Sequence, residues 1–281
     1  MITARDEHGN RISAVNNDGT RNTSGFCPCC RKSLISKVGK GIRRPHWAHE
    51  SVERCDEWKE DESDWHYKWR GQFVDGESRY DIDIENVIEK GGKKHFYDVC
   101  IDNRLSIVLR RMRLSSEQRR EYENFFGEMV WIVEAKMSEY KWLCRNIEQR
   151  KIKPFDGHYK SCYWTESSTK NFFDSWKDCT RLVAFDFLEA SDENENDMWI
   201  VLPEIERGTF RYMVKFSAAE FVKRILADGN LFRKPLDEVI TELDRLSSDR
   251  LTRHDGGQQQ DCAKLFCGND ALANYWSKRR Q

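Results

Sequence analysis

The chain contains 281 residues, with 47 lysines and arginines against 48 aspartates and glutamates, and 38% of its residues are hydrophobic. Its longest apolar runs, such as Met129–Val133, are far shorter than the roughly 20 residues of a membrane span, and its first residues lack the apolar core of a signal peptide. The near-neutral net charge points to no class of partner, while 10 Trp, 15 Phe and 9 Tyr exclude disorder of the whole chain. We therefore expect a cytoplasmic protein without a membrane segment.

The first half of the chain predicts helices alternating with strands after a polar N-terminal stretch. Trp58, Trp65, Trp69 and Phe73 recur at steps of seven, four and four residues, which predicts a helix over residues 56–75. That spacing favours core packing of the tryptophans over stacking on nucleic-acid bases. Ser115, with Gln118 three residues later, matches a capping box at the start of a helix. The further predicted elements are strands at Tyr80–Val87, His95–Ile101, Leu105–Leu109 and Met129–Val133, and a helix at Ser115–Phe126.

The second half predicts three more strands and a helical C-terminal region. The strands are Leu182–Phe187, Met198–Leu202 and Arg211–Phe216, and a helix follows from Ser217 to about Leu226. Pro235 opens another amphipathic helix. The chain is therefore predicted to be α/β, with an N-terminal tail and small lobe at 1–56, a core at 57–230 and a helical extension at 231–281.

Four of the ten cysteines lie close together near the N-terminus, which indicates a metal site. Cys27 and Cys30 have the C-x-x-C spacing that supplies two ligands of a zinc tetrahedron from one turn. His49 and Cys55 are the best second pair, with His46 as the alternative, and Cys29 would point away. Four protein ligands leave no open position, so the zinc is expected to be structural. The competing interpretation is a group of unliganded thiols beside a surface histidine.

Residues 25–225 resemble the competence protein CoiA-like family, whose members carry a zinc lobe followed by a nuclease domain of the PD-(D/E)xK type. The matching pieces keep their order along the chain, but the first 24 residues and the part beyond about residue 230 are not covered. The pieces are Phe26-Cys27-Pro28 with Cys30, Pro45–His49, Glu62 with Trp65-His66 and Trp69-Arg70, His95 with Asp98-Val99, Leu114–Glu117, Met129–Val133, Val183–Phe187, Met198-Trp199 and Phe216-Ser217.

The resemblance implies a restriction-endonuclease-like mixed sheet flanked by helices, with catalytic positions at Glu62, His66, His95 and Asp98. It also exposes a departure from the family pattern. Where the family has a metal-binding Glu followed by a Gln, this chain has Val108 and Arg110. Mg²⁺ needs oxygen ligands, and valine has none to offer, so we expect a degenerate site that needs Mg²⁺ only if it still functions.

Arg110 begins the densest basic stretch of the chain, and the sequence allows two interpretations of its role. With Arg111 and Arg113 it could bind the phosphates of a nucleic acid. Alternatively, Arg110 could pair with Asp98 or Glu62 as a structural ion pair.

Three functions follow from the degenerate site. The first is an inactive nuclease-family protein that binds DNA or a protein partner within a nucleic-acid-processing or phage-defence assembly. The second is an active Mg²⁺-dependent DNase whose ligands, Glu62 and Asp98 among them, are rearranged. The third is an adaptor that binds protein only, which the near-neutral charge mildly favours over a strong DNA binder.

Overall fold

The computed structural model describes residues 1–16, 18–39, 44–51, 55–74, 80–136, 138–141, 159–163, 172–176, 179–187, 197–207 and 210–228. The chain divides into two compact units. Unit 1 comprises Met1–Met112 and Glu121–Val130, and unit 2 comprises Arg113–Arg120 and Trp131–Gln281. The candidate site lies wholly within unit 1.

Unit 1 begins with a small antiparallel sheet of five strands in the order β2-β1-β3-β4-β5. Short strands and alternating burial allow one face of this sheet to enclose a compact core, in which Trp47 is the largest side chain. Ala4, Cys27 and Leu34 pack around it. The strands are β1 (Thr3–Arg5), β2 (Arg11–Ser13), β3 (Gly25–Phe26), β4 (Ser33–Lys37) and β5 (His46–His49).

The helix predicted over residues 56–75 begins later in the structure, as α1 at Asp64–Val74. Trp65, Trp69 and Phe73 form its buried face, as their spacing predicted. Trp58 does not lie on this helix, so the prediction is wrong for residues 56–63. The reason is local, because the Asp56 carboxylate accepts the Trp58 amide at 2.9 Å and closes a turn instead.

Unit 1 also contains three antiparallel strands that belong to a second sheet. Each of them was predicted to within a few residues. They are β6 (Ile82–Lys90), β7 (Lys93–Ile101) and β8 (Leu105–Arg110), and α1 packs against β6 and β7. Gly91 and Gly92 make the tight turn between β6 and β7 with positive φ angles of 59° and 76°. Helix α2 (Ser116–Phe126) and strand β9 (Met129–Glu134) follow, and the division between the units falls within both.

The predicted capping box at the start of α2 is confirmed. The Ser115 hydroxyl accepts the Gln118 amide at 3.1 Å, and the Gln118 side chain accepts the Ser115 amide at 3.0 Å. Each side chain thereby satisfies a backbone donor that a helix start leaves without an intrahelical partner.

Unit 2 contains most of β9 together with four strands and a helix, in the sheet order β10-β13-β12-β11-β9. Every residue of β11 is buried, as expected for a strand that is covered on both faces. Helix α3 packs on β12 and β13. The remaining elements are β10 (Tyr159–Tyr163), β11 (Leu182–Asp186), β12 (Asp197–Arg207), β13 (Phe210–Ser217) and α3 (Ala218–Asp228), with a 3₁₀ helix at Phe172–Trp176.

The predicted α/β class is confirmed, since each unit combines β-sheet with helices. The helix predicted from Pro235 and the rest of the 231–281 extension lie outside the described residues. The domain limits at 56/57 and 230/231 stay predictions. None of the helices in the described part of the chain has both the length and the apolar composition needed to cross a membrane.

Candidate metal centre and adjoining acidic cluster

The five-stranded sheet β1–β5 with its core is called the β-lobe below. In it the side chains of four residues converge, with their ligand atoms all within 4.8 Å of one another: Cys27, Cys30, His49 and Cys55. The Cys27 and Cys55 sulfurs are 3.5 Å apart, and the Cys30 sulfur is 3.3 Å from His49 Nε2. Donors at these separations suit a tetrahedral ion with ligand bonds of about 2.0–2.3 Å. The cysteines are free thiols, so the Cys₃His cluster could bind a metal such as zinc.

Local structure explains why these four residues meet. The turn after β3 is closed by the Arg31 amide donating to the Cys27 carbonyl at 2.9 Å, which points Cys27 and Cys30 to the same side. On β5, alternation places His49 on the same face as the buried Trp47. The alternative ligand His46 lies on the other face, where its Nδ1 donates to the Arg44 carbonyl at 2.9 Å. The structure therefore brings His49, and not His46, to the cysteines.

The protonation chemistry of the cluster also fits a metal. The pKa of the Cys27 thiol is raised far above its usual range, first by its contact with the Cys55 sulfur and then by burial. Burial lowers the pKa of His49, which keeps the imidazole in the neutral form that a metal requires. Crowded donors of this kind are stabilised when a cation replaces their protons. The residues present therefore fit zinc, and the metal would tie the turn after β3 to β5 and to Cys55.

Cys29 does not belong to the cluster, as its position between the two knuckle cysteines predicted. Its sulfur lies 3.7 Å from the Cys55 carbonyl and 3.9 Å from the Lys94 carbonyl, and the side chain is buried. It is a buried packing residue beside Cys55 that is not a member of the cluster, which makes it a control for metal-ligand substitutions.

Residues 55–63, which we call the strap, lead from the metal cluster to the start of α1. The strap has no helix or strand, and its side chains hold it in place. The Asp56 carboxylate accepts the Phe96 amide at 2.8 Å and faces His95 Nδ1 at 3.0 Å. At the other end Ser63 caps α1, since its hydroxyl accepts the His66 amide at 3.5 Å; the same hydroxyl lies 2.8 Å from His66 Nδ1.

A row of buried and half-buried charges of alternating sign runs beside the strap. Its carboxylates, Glu85, Glu62 and Asp98, form what we call the acidic cluster. Glu85 accepts a hydrogen bond from Lys59 at 2.6 Å, and the same ammonium lies 3.8 Å from Glu62. Glu62 in turn pairs with Arg70, whose Nη1 is 3.1 Å from both Glu62 Oε1 and Asp98 Oδ1. Arg70 is 1% exposed. The row therefore alternates acid and base from Glu85 to Asp98, and one guanidinium is shared by the last two carboxylates.

Asp98 ends this row and lies on strand β7, between β6 and β8. Its second oxygen accepts the Leu109 amide of β8 at 2.8 Å. Burial raises the pKa of Asp98, and the neighbouring Arg70 guanidinium opposes that rise. For Glu62, burial also acts to raise the pKa, but Arg70 and Lys59 together hold the pKa below its usual value. The two carboxylates thus depend on Arg70 for their charge compensation.

Arg110 is engaged in a different ion pair from either of those that we considered from the sequence. Its Nη1 lies 3.2 Å from Glu60, and its Nη2 donates to the Trp58 carbonyl at 2.5 Å. Its guanidinium also lies 4.5 Å above the Tyr122 ring. Expectation and structure differ because the strap carries Glu60 over the end of β8. Arg110 is buried, whereas Arg111 and Arg113 are exposed.

Two histidines predicted at the nuclease-type site occupy different surroundings. His66 lines the same small cavity as Glu62 and Asp98, and its Nε2 is 3.6 Å from Glu60. His95 is held away from this group, because its ring pairs with Asp56 and stacks on Trp58 at 3.5 Å between centroids. The structure therefore brings Glu62, His66 and Asp98 together but does not bring His95 to them.

Two cavities of very different size adjoin the strap. The cavity beside Glu62, His66, Asp98 and Val108 has a volume of 20 Å³, enough for about one water molecule. On the other side, a cleft of 630 Å³ is lined by β5, the strap and Tyr67. Only the cleft reaches the size of a ligand pocket, about 300–1,000 Å³.

Comparison with known proteins bears on the lobe that holds the metal cluster. Residues 12–57 match the family model described as competence protein CoiA, N-terminal domain, and this stretch contains all of the clustered Cys and His ligands. This stretch is CoiA-like. The match ends before Glu62, so it does not extend to the acidic cluster. No curated protein and no solved structure is detectably similar to the chain.

Sequence reasoning missed three residues that shape the site: Asp56, Lys59 and Glu60. Asp56 directly follows a metal ligand, which is a local signal that could have marked it. Lys59 and Glu60 carry no comparable signal, because their partners Glu85 and Arg110 lie 26 and 50 positions further along the chain. Only the folded strap places them.

Proposed function

We propose that this CoiA-like protein serves in competence-related nucleic-acid processing as a binding protein whose nuclease-type site does not cleave. The observation that carries the proposal is the position of Arg70. Its guanidinium bridges Glu62 and Asp98, the two carboxylates that the family resemblance assigns to the metal. A bidentate, charge-assisted contact of this kind supplies the positive charge that a divalent ion would otherwise supply.

The surroundings of Arg70 support the same conclusion. Val108 lines the cavity beside Asp98 and contributes no oxygen where the family has a metal-binding Glu. The cavity of 20 Å³ is too small for a hydrated metal ion together with a scissile phosphate. Without a metal to stabilise the charge of the transition state, phosphodiester cleavage would lose several orders of magnitude in rate.

The restriction-endonuclease-like fold is part of the proposal. It is supported by the placement of Asp98 on the middle strand of β6-β7-β8, with positions 108 and 110 on the adjacent strand and Glu62 just before α1. The free thiols of the described cysteines are consistent with the reducing cytoplasm that we expect.

The first test is a nuclease assay on single- and double-stranded DNA with Mg²⁺ and with Mn²⁺. We expect no cleavage by the natural chain, beside Asp98→Ala as the control. Cleavage that disappears in Asp98→Ala would overturn the proposal and establish an active enzyme. Folding of both proteins is checked by circular dichroism, so that inactivity is not mistaken for misfolding.

A second arm reverses the departures from the family pattern. Val108→Glu with Arg110→Gln restores the family residues but leaves Arg70 between the carboxylates, so we expect little or no activity. Adding Arg70→Lys, the residue type common in the family, should allow Mn²⁺-dependent cleavage to appear. Absence of cleavage in the folded triple variant would show that the loss of activity has a different cause.

Binding is tested separately from cleavage. Because Arg110 is buried, we expect DNA contact to depend on the exposed Arg111 and Arg113, and replacing both with Ala should weaken binding and flatten its salt dependence. Arg104, exposed on the same unit as Arg111, provides a matched control. If DNA binding is absent or insensitive to salt, the protein-binding adaptor becomes the better interpretation.

One observation favours the active DNase as a second candidate. Glu62 and Asp98 converge on a single nitrogen of Arg70, so both carboxylates already point to one position. A metal that displaced Arg70 would find both ligands there. The nuclease assay with the Asp98→Ala control separates this candidate from the first.

A further inference from the structure

The strap is held at its two ends by different kinds of contact. Cys55 at its start is a member of the metal cluster, and Ser63 at its end caps α1. Between them, the Lys59 amide donates to the Asp56 carbonyl at 3.2 Å in a single turn, and the rest is held by side chains. Segments with so few backbone hydrogen bonds open at a lower free energy than helices and strands do.

Side chains of the strap make the contacts that close it onto the sheet. Asp56 accepts the Phe96 amide on β7, and Glu60 accepts the amides of Arg111 and Met112 at 2.9 and 3.0 Å, just past β8. The Trp58 ring lies between His95 and Tyr122, with centroid distances of 3.5 and 4.0 Å. These contacts fix the strap to two separate strands.

The closed strap also separates the two cavities of the site. Lys59, Glu60 and Glu62 line both the 630 Å³ cleft and the 20 Å³ cavity that contains Asp98 and His66. If the strap moved away, the small cavity would open into the cleft, and Asp98 and His66 would become accessible. The strap therefore lies where a lid over these two residues would lie.

We propose that metal at the Cys₃His cluster controls this lid: the loaded cluster holds Cys55, and with it the strap, in the closed position, while loss of the metal releases the strap and uncovers Asp98 and His66. The metal would fix Cys55 to Cys27, Cys30 and His49, and Asp56 is the next residue in the chain. Coupling therefore passes over one peptide unit before it reaches the contacts with β7. This proposal goes beyond the proposed function and does not depend on DNA cleavage.

Hydrogen exchange measured by mass spectrometry tests the proposal on the full chain, without DNA. Zinc-loaded protein is compared with protein treated with a chelator. We expect exchange to rise by at least about tenfold in peptides covering residues 56–63 and, at a distance from the cluster, at the amides of Arg111 and Met112. The amides within β6 serve as the internal reference and should change much less.

Three variants separate the lid from general loss of structure. Cys55→Ser should reproduce the effect of the chelator, whereas Cys29→Ser, the matched control, should behave as the natural protein. Asp56→Ala should keep one metal per chain by elemental analysis yet raise exchange in the strap, because it removes the carboxylate that accepts the Phe96 amide of β7. This variant keeps the proposal testable even if Cys55→Ser fails to fold.

Two results would overturn the proposal. One is unchanged exchange at residues 56–63, Arg111 and Met112 after complete removal of the metal. The other is an equal increase across the strap and β6, which would mean that the metal merely stabilises unit 1 as a whole. Neither result bears on whether the acidic cluster cleaves DNA, so a failure here is distinguishable from a failure of the proposed function.

Discussion

Glu85 combines a backbone conformation that is rare for its residue type with an almost completely buried carboxylate. Its φ is 47°, and the β6–β7 ladder pairs its neighbours Ile84 and Asn86 but not Glu85 itself. One carboxylate oxygen accepts the amides of Ile2 and Thr3 at 2.6 and 2.9 Å. A strained residue of this kind costs about 1–3 kcal/mol, and the hydrogen bonds to the carboxylate offset that cost.

Replacing Glu85 with Gln should destabilise the protein in a pH-dependent way. Burial acts to raise the pKa of Glu85, but Lys59, the N-terminal ammonium and Arg70 outweigh it and hold the pKa far below its usual range. The stabilisation is therefore complete above about pH 4.3, the value in the unfolded chain, and is lost as the pH falls. We expect a loss of about 3–5 kcal/mol at pH 7, because Lys59 loses its closest partner and keeps only the longer contact with Glu62, and a smaller gap at pH 3.

Urea unfolding of the natural and Glu85→Gln proteins between pH 3 and 8 measures this difference. Glu89→Gln is the control, because Glu89 is 59% exposed and its pair with Lys94 contributes little. A gap of the same size at pH 3 and pH 7 would contradict the assigned role of the Glu85 charge.

Single residues also show the limit of local patterns. Strand alternation explains why His49 rather than His46 joins the cysteines, so that choice was within reach of the sequence. The partner of Arg110 was not, because Glu60 is 50 positions away and lies in an irregular segment. The sequence also did not predict that Glu62 and Asp98 share the Arg70 guanidinium, because Asp98 is 28 positions away and Glu62 lies in the irregular strap.

At the level of elements, the strands and helices were largely predictable, and the strap was not. Strand-like and continuous apolar runs located β7, β8 and β9, and the capping box located the start of α2. The aromatic spacing that predicted α1 wrongly included one further aromatic residue, Trp58, which stacks on His95 instead. A tertiary contact thus replaced the local helical preference for residues 56–63.

The close packing of β3 in the β-lobe leads to a prediction about Gly25. A Cβ added there would lie 2.8 Å from the Ala4 Cβ and 3.2 Å from a ring carbon of Trp47. Gly25→Ala should therefore overpack the lobe and lower its stability by about 1–3 kcal/mol. Thermal unfolding measures the effect.

Gly39→Ala is the matched control, because no atom of the described residues lies within 4 Å of a Cβ at that position. Its expected change is within about 0.5 kcal/mol. Equal melting temperatures for the two variants would show that the approach of β1 and β5 to Gly25 is looser than described.

For the molecule as a whole, the metal cluster is expected to be the main source of stability of the β-lobe. That lobe has short strands and a small core, and such lobes usually depend on metals or disulfides. Elemental analysis of protein purified without chelator should give one zinc per chain. Removing the metal should lower the melting temperature, and adding Zn²⁺ should restore it.

Cys29→Ser should retain the metal and the melting temperature, whereas Cys30→Ser should lose both, although the two residues are neighbours. Protein that contains no zinc, or that melts at the same temperature with and without chelator, would rule out a structural metal in this lobe.

The sequence by itself determined the features that depend on neighbours in the chain: the α/β class, most element positions, the cysteine knuckle and the absence of a carboxylate at Val108. Each follows from local spacing or from side-chain chemistry alone. Only the tertiary structure decided which charges meet: Arg70 with Glu62 and Asp98, Arg110 with Glu60, and His95 with Asp56. The physical reason is that these pairs are selected by burial and charge compensation between distant segments, which no local period of the sequence encodes.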